Sequence, residues 1–259
     1  MANVINLNAD VAEGWGAYDI GNDAELVKII GSANVACGFH GGDWNTMHRF
    51  CLLAKEHGIS IGAHPGFNDL WGFGRRQIKM KANDLEYMVA YQIGALQAIA
   101  AYAGLKVTHV KAHGALSNMA VEDESYALAI GRAIKAVDPA IIYLAQAETE
   151  LEKAALKLGL PLAREGFADR EYEDNKTLVS RAIPGAVIRD SRKAAAQALR
   201  MVRDGEVVSR HGKVLKLAVD TICIHGDEPT AVAVGQAVKE TLEINGIRMV
   251  PLPEVARGR

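Results

Sequence analysis

The sequence predicts an α/β protein, a single domain over residues 1–259 folded as an irregular βα barrel of about seven parallel strands. Three observations predict it. Short β-rich runs alternate with longer segments of helical period from end to end, the pattern of parallel strands joined by helical crossovers. No Pro/Ser-rich linker, composition break, repeat or low-complexity tract divides the chain. Seven or eight strand–helix units in 259 residues fit a closed or nearly closed barrel better than an open sheet.

The elements follow in order. Val4 to Asn8 is a strand ending at Asp10, and Leu26, Val27, Ile29 and Ile30 mark a helix from about Ala24 to the Gly31 stop. Ala33 to Cys37 is the second strand. Met47, Phe50, Cys51 and Ala54 then recur at helical spacing up to Gly58. Ile59 to His64 is the third strand, and Asp84 reads as the N-cap of a long helix with Leu85, Val89, Ile93 and Leu96 on its buried stripe. Val107 to His113 is the fourth strand, before a helix holding Tyr126, Ile130 and Ile134. Ile141 to Ala145 and Leu162 to Phe167 are the fifth and sixth, separated by a helix over Leu151 to Leu158. A polar loop leads to a helix from Asp190 to Val202. Val207 to Asp220 breaks the alternation and reads as an inserted hairpin. Thr221 to His225 is the seventh strand, followed by a helix between Pro229 and Gly246, and a weak last strand lies in Ile247 to Val250.

Composition narrows the function classes. The chain carries 29 Lys plus Arg against 31 Asp plus Glu, a formal charge of −2, with no basic cluster. That argues against nucleic-acid or anionic-membrane partners held by bulk electrostatics. Cys37, Cys51 and Cys223 are odd in number and lack a CxxC, which points to a reducing compartment without disulfides or a Cys-type zinc site. The N-terminus reaches Asp10 too soon for a signal peptide, and no apolar run approaches a membrane span. A cytoplasmic location is expected.

Chemistry-bearing side chains fall at the C-terminal ends of successive strands. Asp10 and Glu13 follow the first strand, His40 and Asp43 the second, and His64 the third. Lys111 and His113 end the fourth, Glu165 and Asp169 the sixth, His225 and Asp227 the seventh. In a βα barrel those ends converge on one mouth. Lys111 and His113 stand two apart and share the inward face. A buried Lys111 needs a carboxylate or loses its charge, so it is a structural ion pair or a tuned amine.

Each motif also has a plainer reading. Asp43 and Asp227 fit helix caps, Asp10–Glu13 a capped turn, His64 a satisfied core imidazole, and Arg170 with Arg181 a surface salt-bridge network. The Gly/Pro surroundings of His64 in GAHPG read as backbone brought close to a ligand. His109 reads as an ordinary strand-interior residue. GFGRR (72–76) is no nucleotide fingerprint, since no strand precedes it. Asp10, His64 and His113 could ligate a divalent metal, or act without one as an acid/base set. Spacing leaves both open.

Taken together, NADVAEGWG, NVACGFHGGD, GAHPGFNDLWGFGRR, VKAHGALSN, EGFADREY with LVSR behind it, and ICIHGD resemble the LamB/YcsF family over essentially the whole chain. The resemblance implies a seven-stranded irregular barrel of the glycoside hydrolase/deacetylase type. It implies a subunit of an ATP-dependent 5-oxoprolinase that opens the lactam of 5-oxoproline to L-glutamate, with partner subunits B and C. ATP would be a co-substrate bound by those partners, which accounts for the missing nucleotide motifs. Ala9 and Ala12 depart from the Cys and Gly usual in the family, and Ser117 from a common Tyr. A nucleophilic cysteine at position 9 is thereby excluded.

On that resemblance, Asp10 or Glu13 is expected as general base, with His64 and His113 positioning water or protonating the leaving nitrogen. Lys111, Arg75 or Arg170 would stabilise an oxyanion or phosphate, and His40, Asp43, Glu165, Asp169 and His225 would complete substrate binding. Two rivals stand beside this: a stand-alone metal-dependent deacetylase or amidohydrolase, and a carrier subunit that only binds the substrate carboxylate.

Overall fold

The computed structural model describes residues 4–226 and 229–257; Asp227 lies outside them. The strands are β1 (Val4–Val11), β2 (Ser32–Ala36), β3 (Ser60–His64), β4 (Val107–Val110), β5 (Ile142–Gln146), β6 (Leu162–Phe167), β7 (Glu206–Val208), β8 (Val214–Lys216), β9 (Thr221–Ile224) and β10 (Arg248–Met249). The helices are α1 (Asp23–Leu26), α2 (Trp44–His57), α3 (Ala82–Ala103), α4 (Gly114–Ala120), α5 (Glu124–Val137), α6 (Glu150–Leu158), α7 (Ser191–Asp204), α8 (Ala231–Ile244) and α9 (Leu252–Arg257).

Strands β1 to β6 pair in parallel in chain order, β9 pairs with β6, and the β1–β9 pairing closes the barrel. β10 adds to β1 through Val4 and Ile5, below the register at which β9 joins. β7 and β8 form the expected antiparallel hairpin.

Strand periodicity divides the residues between two environments. Leu7, Ala9 and Val11 of β1 join the apolar core. Asn6, Asn8 and Asp10 take the other face, and there the bore is polar. The Asn8 amide donates to Thr221 Oγ1 at 2.7 Å, and Asn34 donates to Asn8 Oδ1 at 2.7 Å and Asp10 Oδ1 at 2.9 Å. Such barrels usually fill the bore with branched aliphatics. Here a ladder of amides and hydroxyls does so, and buried polar atoms are tolerated because they bond to one another. The ladder ends at Asp10.

Several elements depart from expectation. α1 is one turn, although Leu26, Val27, Ile29 and Ile30 are all buried as its pattern requires. α3 begins at Ala82, so Asp84 lies in its first turn rather than at its cap. β4 ends at Val110, but Lys111 N and His113 N still donate to Ala63 O and Pro65 O, which carries the extended backbone to the mouth. The short helices α4 and α9 go beyond what the apolar spacing predicts.

Candidate active site

The strand ends converge on a cavity of about 400 Å³, lined among others by Asp10, Glu13, His64, Lys111, His113 and His225. Asp10 leaves β1 fully constrained. Its Oδ1 accepts from Lys111 Nζ at 2.8 Å and Asn34 Nδ2 at 2.9 Å, while Oδ2 lies 3.4 Å from His64 Nε2. Burial raises the Asp10 pKa, but His64 and Lys111 outweigh it and hold the carboxyl well below the usual range. Lys111 Nζ also lies 3.2 Å from Glu165 Oε1 and 2.9 Å from Cys223 Sγ. Burial would strip its proton; Asp10, Cys223 and Glu165 overcome this and push the ammonium well above its ordinary value. Lys111 is thus one partner of a buried ion pair.

The imidazoles sit in a fixed arrangement. His64 Nδ1 lies 2.8 Å from Lys111 O, and His113 Nε2 lies 2.8 Å from Phe73 O. A carbonyl only accepts, so both nitrogens carry protons. In the neutral tautomers His64 Nε2 and His113 Nδ1 are then bare, and they face each other at 3.0 Å. Two lone pairs at that distance repel unless a proton or a metal ion lies between them. Glu13 Oε1 is 3.5 Å from the same His113 nitrogen and 3.2 Å from His40 Nε2. His40 stacks on His113 at 3.6 Å between centroids and 2° between planes. Burial, and then the neighbouring imidazoles, hold His40 and His113 well below the usual histidine range.

The glycines of the motifs serve this cluster. A Cβ on Gly74 (φ +63°) would lie 2.6 Å from His40 Cβ and 2.8 Å from His113 Cδ2. One on Gly66 would lie 2.7 Å from His40 Nδ1, and Gly62 leaves the space that the His109 ring fills. The glycines of GAHPG therefore make room for the protein's own imidazoles, not for a ligand.

Of the residues singled out in the sequence, Asp10, Glu13, His64, Lys111, His113, Arg75, Arg170 and His225 line the cavity. The other four are placed beneath or beside it. Asp43 caps α2, accepting from Asn45 N, Thr46 N and Gly16 N at 2.7–2.9 Å. Asp169 accepts from His225 N and Nδ1 at 3.0 Å, Glu165 backs Lys111, and His40 is fully buried against His113. Arg170 is only 7% exposed, so it is not part of a surface network. Sequence reasoning missed Asn34 and His109. His109 Nε2 lies 3.1 Å from Asn34 Oδ1, and since the Asn34 amide nitrogen already serves Asp10, the imidazole donates. The signal was the period-two placement of polar residues in buried strands. Cys37, near His40, bonds Val35 O, and burial pushes its thiol up to about 12, leaving no nucleophile.

Glu13, His40, His64 and His113 each offer a ligand atom within 4.8 Å of the others, as do Asp10, Cys223 and His225. The first group could hold a divalent metal: three of its six donor separations, 3.0, 3.2 and 3.5 Å, approach the roughly 3.4 Å edge of a tetrahedral site with bonds near 2.1 Å. The backbone carbonyls behind His64 and His113 are the outer partners that metal-binding imidazoles normally have. Of the expected set of Asp10, His64 and His113, the two histidines stand in this group with Glu13 and His40, while Asp10 Oδ1 is bonded by Lys111 and its Oδ2 lies 3.4 Å from His64 Nε2.

The LamB/YcsF family model matches residues 5–257. The chain belongs to that family. Its motifs supply most of the cavity's charged lining: Asp10 and Glu13 from NADVAEGWG, His64 from GAHPG, Lys111 and His113 from VKAHGALSN, and Arg75, Arg170 and Arg181 from GFGRR, EGFADREY and LVSR. A relative from Rhodopseudomonas palustris (strain BisB5), the A subunit of a 5-oxoprolinase, is 55% identical over 248 residues, 95% of this chain and 98% of that protein. The crystal structure of a lactam utilization protein from Thermus thermophilus superposes with a TM-score of 0.91 at 42% identity, covering 95% of this chain and 99% of the other. A T48 deacetylase solved with substrate shares the fold alone, at a TM-score of 0.52 and 15% identity, over 99% of this chain and 92% of that one. Among the described residues no helix is long and apolar enough to cross a membrane.

Proposed function

We propose that this chain is the ring-opening subunit of an ATP-dependent 5-oxoprolinase, hydrolysing the lactam of 5-oxoproline to L-glutamate after partner subunits B and C activate it with ATP. Support comes from the relatives' names and one structural observation: Asp10, Glu13, His64 and His113 converge in one cavity with their proton positions fixed. A five-membered lactam is an unstrained amide, so its hydrolysis needs both an activated carbonyl and an activated water. Asp10 stays ionised beside His64, and the pair supplies a general base. The proton taken from water passes from His64 Nε2 to the bare His113 Nδ1, 3.0 Å away, and His113, its other nitrogen committed to Phe73 O, delivers it from Nδ1 to the leaving nitrogen. Lys111 is held by Asp10, Glu165 and Cys223, so oxyanion stabilisation passes to the arginines above.

The test is glutamate release from 5-oxoproline and ATP, with this chain alone and with both partners. Turnover only in the mixture is expected. A mixture whose partners still hydrolyse ATP but release no glutamate would overturn the reading.

The facing lone pairs favour a second reading, a metal-dependent amidohydrolase. Glu13, His64 and His113 would hold the ion, with His40 against them, and a bound Zn or Mn would polarise a carbonyl or acidify a water. Metal analysis of the purified protein, with and without His64→Ala, separates the two occupants of that gap. Stoichiometric metal that the variant loses supports the second reading, and metal-free protein with full activity in the complex removes it.

A further inference from the structure

The acid and imidazole floor is only half of the cavity. The opposite wall comes from the irregular excursion between β6 and α7, residues 168–190, which folds on itself through Glu171 N to Ala186 O, Val179 N to Glu171 O and Ile188 N to Asp169 O. Arg170, Arg181 and, from the GFGRR loop, Arg75 line this side. Arg76, beside Arg75, is held by Asp69 and belongs to the loop's own structure. Arg75 stands with its guanidinium 5.0 Å over the Phe73 ring and lines the cavity.

Arg170 is the decisive residue. It is 93% buried, its Nη2 donates to Val179 O at 2.6 Å, and its buried Nε has no hydrogen-bond partner. No carboxylate among the described residues comes within ion-pair distance of it; the adjacent Asp169 is bonded to His225. Burial, and then the like charge of Arg181, lower it to about 10, so it remains charged at neutral pH. A buried guanidinium with an unused donor is unfavourable by itself. The planar fork of arginine matches a carboxylate or phosphoryl group through paired hydrogen bonds.

We infer that Arg170, with Arg75 and Arg181, forms an oxyanion subsite facing the reacting floor. Its ligand is the carboxylate of the lactam substrate or the phosphoryl group placed on the lactam oxygen, an identification that rests on the function proposed above. The anion anchors the ring at this wall, so that the carbonyl carbon lies toward Asp10 and the imidazoles.

Calorimetric titration of the purified chain with 5-oxoproline and with inorganic phosphate, alone and in competition, tests this in the wild type, Arg181→Gln and Arg170→Lys. Circular dichroism verifies that each variant is folded. Arg181→Gln leaves the buried Val179 contact intact and is the variant least able to disturb the fold. Loss of one or two charge-assisted hydrogen bonds weakens anion binding about tenfold or more in both variants. If phosphate displaces 5-oxoproline, the subsite holds the carboxylate. If both bind together and only phosphate is lost in the variants, it holds the phosphoryl group. Arginine-dependent phosphate binding without any 5-oxoproline binding would keep the subsite and remove the substrate reading. Unchanged affinities in both folded variants, or a wild type that binds neither anion, would overturn the subsite itself.

Discussion

The two sides of the cavity are built differently. The floor groups stand at the ends of regular strands, where backbone pairing fixes them. Asp10 stands near the C-terminal end of the eight-residue β1, and Lys111 and His113 extend β4 by hydrogen bonds to β3 and its continuation. Every floor group is also held by another: Asp10 by Lys111 and Asn34, His64 by Lys111 O, and His113 by Phe73 O. The wall groups Arg170 and Arg181 stand on an excursion without regular secondary structure, with a long side chain between backbone and charge. The contrast teaches a division of labour. Atoms that must be placed to a fraction of an ångström for proton transfer sit on the sheet, and charges that need only meet an anion sit on the loop.

The largest expected effect breaks that division at the floor. Asp10→Asn keeps the shape and one acceptor, yet removes the carboxylate beside His64. Glutamate release by the reconstituted complex should fall about 10²–10⁴-fold, the usual contribution of a positioned acid or base. Binding of 5-oxoproline to the wall should change much less. A variant that keeps near-normal turnover would sink the assignment of the base.

Lys111→Met probes the floor's stability rather than its chemistry. The substitution leaves Asp10 and Glu165 buried without the ammonium between them, and removing one partner of a buried pair destabilises by about 3–5 kcal/mol. Urea unfolding should show it, and the loss should shrink at low pH as the carboxyls take up protons. Arg181→Gln, on the partly exposed wall, should move the urea midpoint hardly at all. Equal losses from both variants would erase the comparison.

How much of this was legible in the sequence follows the same line. Period-two strands and their C-terminal ends located Asp10, Glu13, His64, Lys111, His113 and His225, because a regular strand converts spacing into direction. The cap at Asp43 was legible too, because it bonds Asn45 N and Thr46 N two and three residues on, but the bond from Gly16 to Asp43 and the pairing of Asp169 with His225, across 27 and 56 residues, leave no local trace. The placement of Arg170 was equally hidden: an irregular segment has no period from which burial can be read. His109 was legible but misread, as an ordinary strand-interior residue rather than the first of three polar steps, with Lys111 and His113, toward the mouth on the inward face of β4.

His109 gives a smaller, pH-dependent effect. Burial, then the charges of Lys111 and His64, lower it to about 3, so it stays neutral in the folded chain while the unfolded chain takes up a proton near pH 6.5. A depressed histidine contributes stability that is full above pH 6.5 and drains as the pH falls toward 3. The slope is at most about 1.4 kcal/mol per pH unit for one such group. His109→Gln, which retains a donor for Asn34, should flatten the loss of stability between pH 6.5 and 4.5 by up to that amount. An unchanged slope would mean that the imidazole is already charged in the fold.

The smallest effect concerns how the floor presents Glu13. Ala12 precedes it in the left-handed region, at φ +56°, fully buried. Its amide donates to Asp23 Oδ2 at 2.9 Å, which pins the turn. Three contributions oppose one another in Ala12→Gly. Relief of the left-handed strain favours glycine by about 1–2 kcal/mol, the freer unfolded chain disfavours it by about 0.5–1 kcal/mol, and the lost buried methyl disfavours it by about 0.8 kcal/mol. The sum lies within about 1 kcal/mol of zero, with the turn before Glu13 held in place by Asp23 either way. Ala12→Val has no such balance, because a β-branched side chain in this region is strained and the site is full. The valine variant should therefore lose far more stability and turnover than the glycine one. Near-equal melting temperatures for the two would mean that the turn relaxes out of the left-handed region, and that β1 alone, not the turn after it, sets the direction of Glu13.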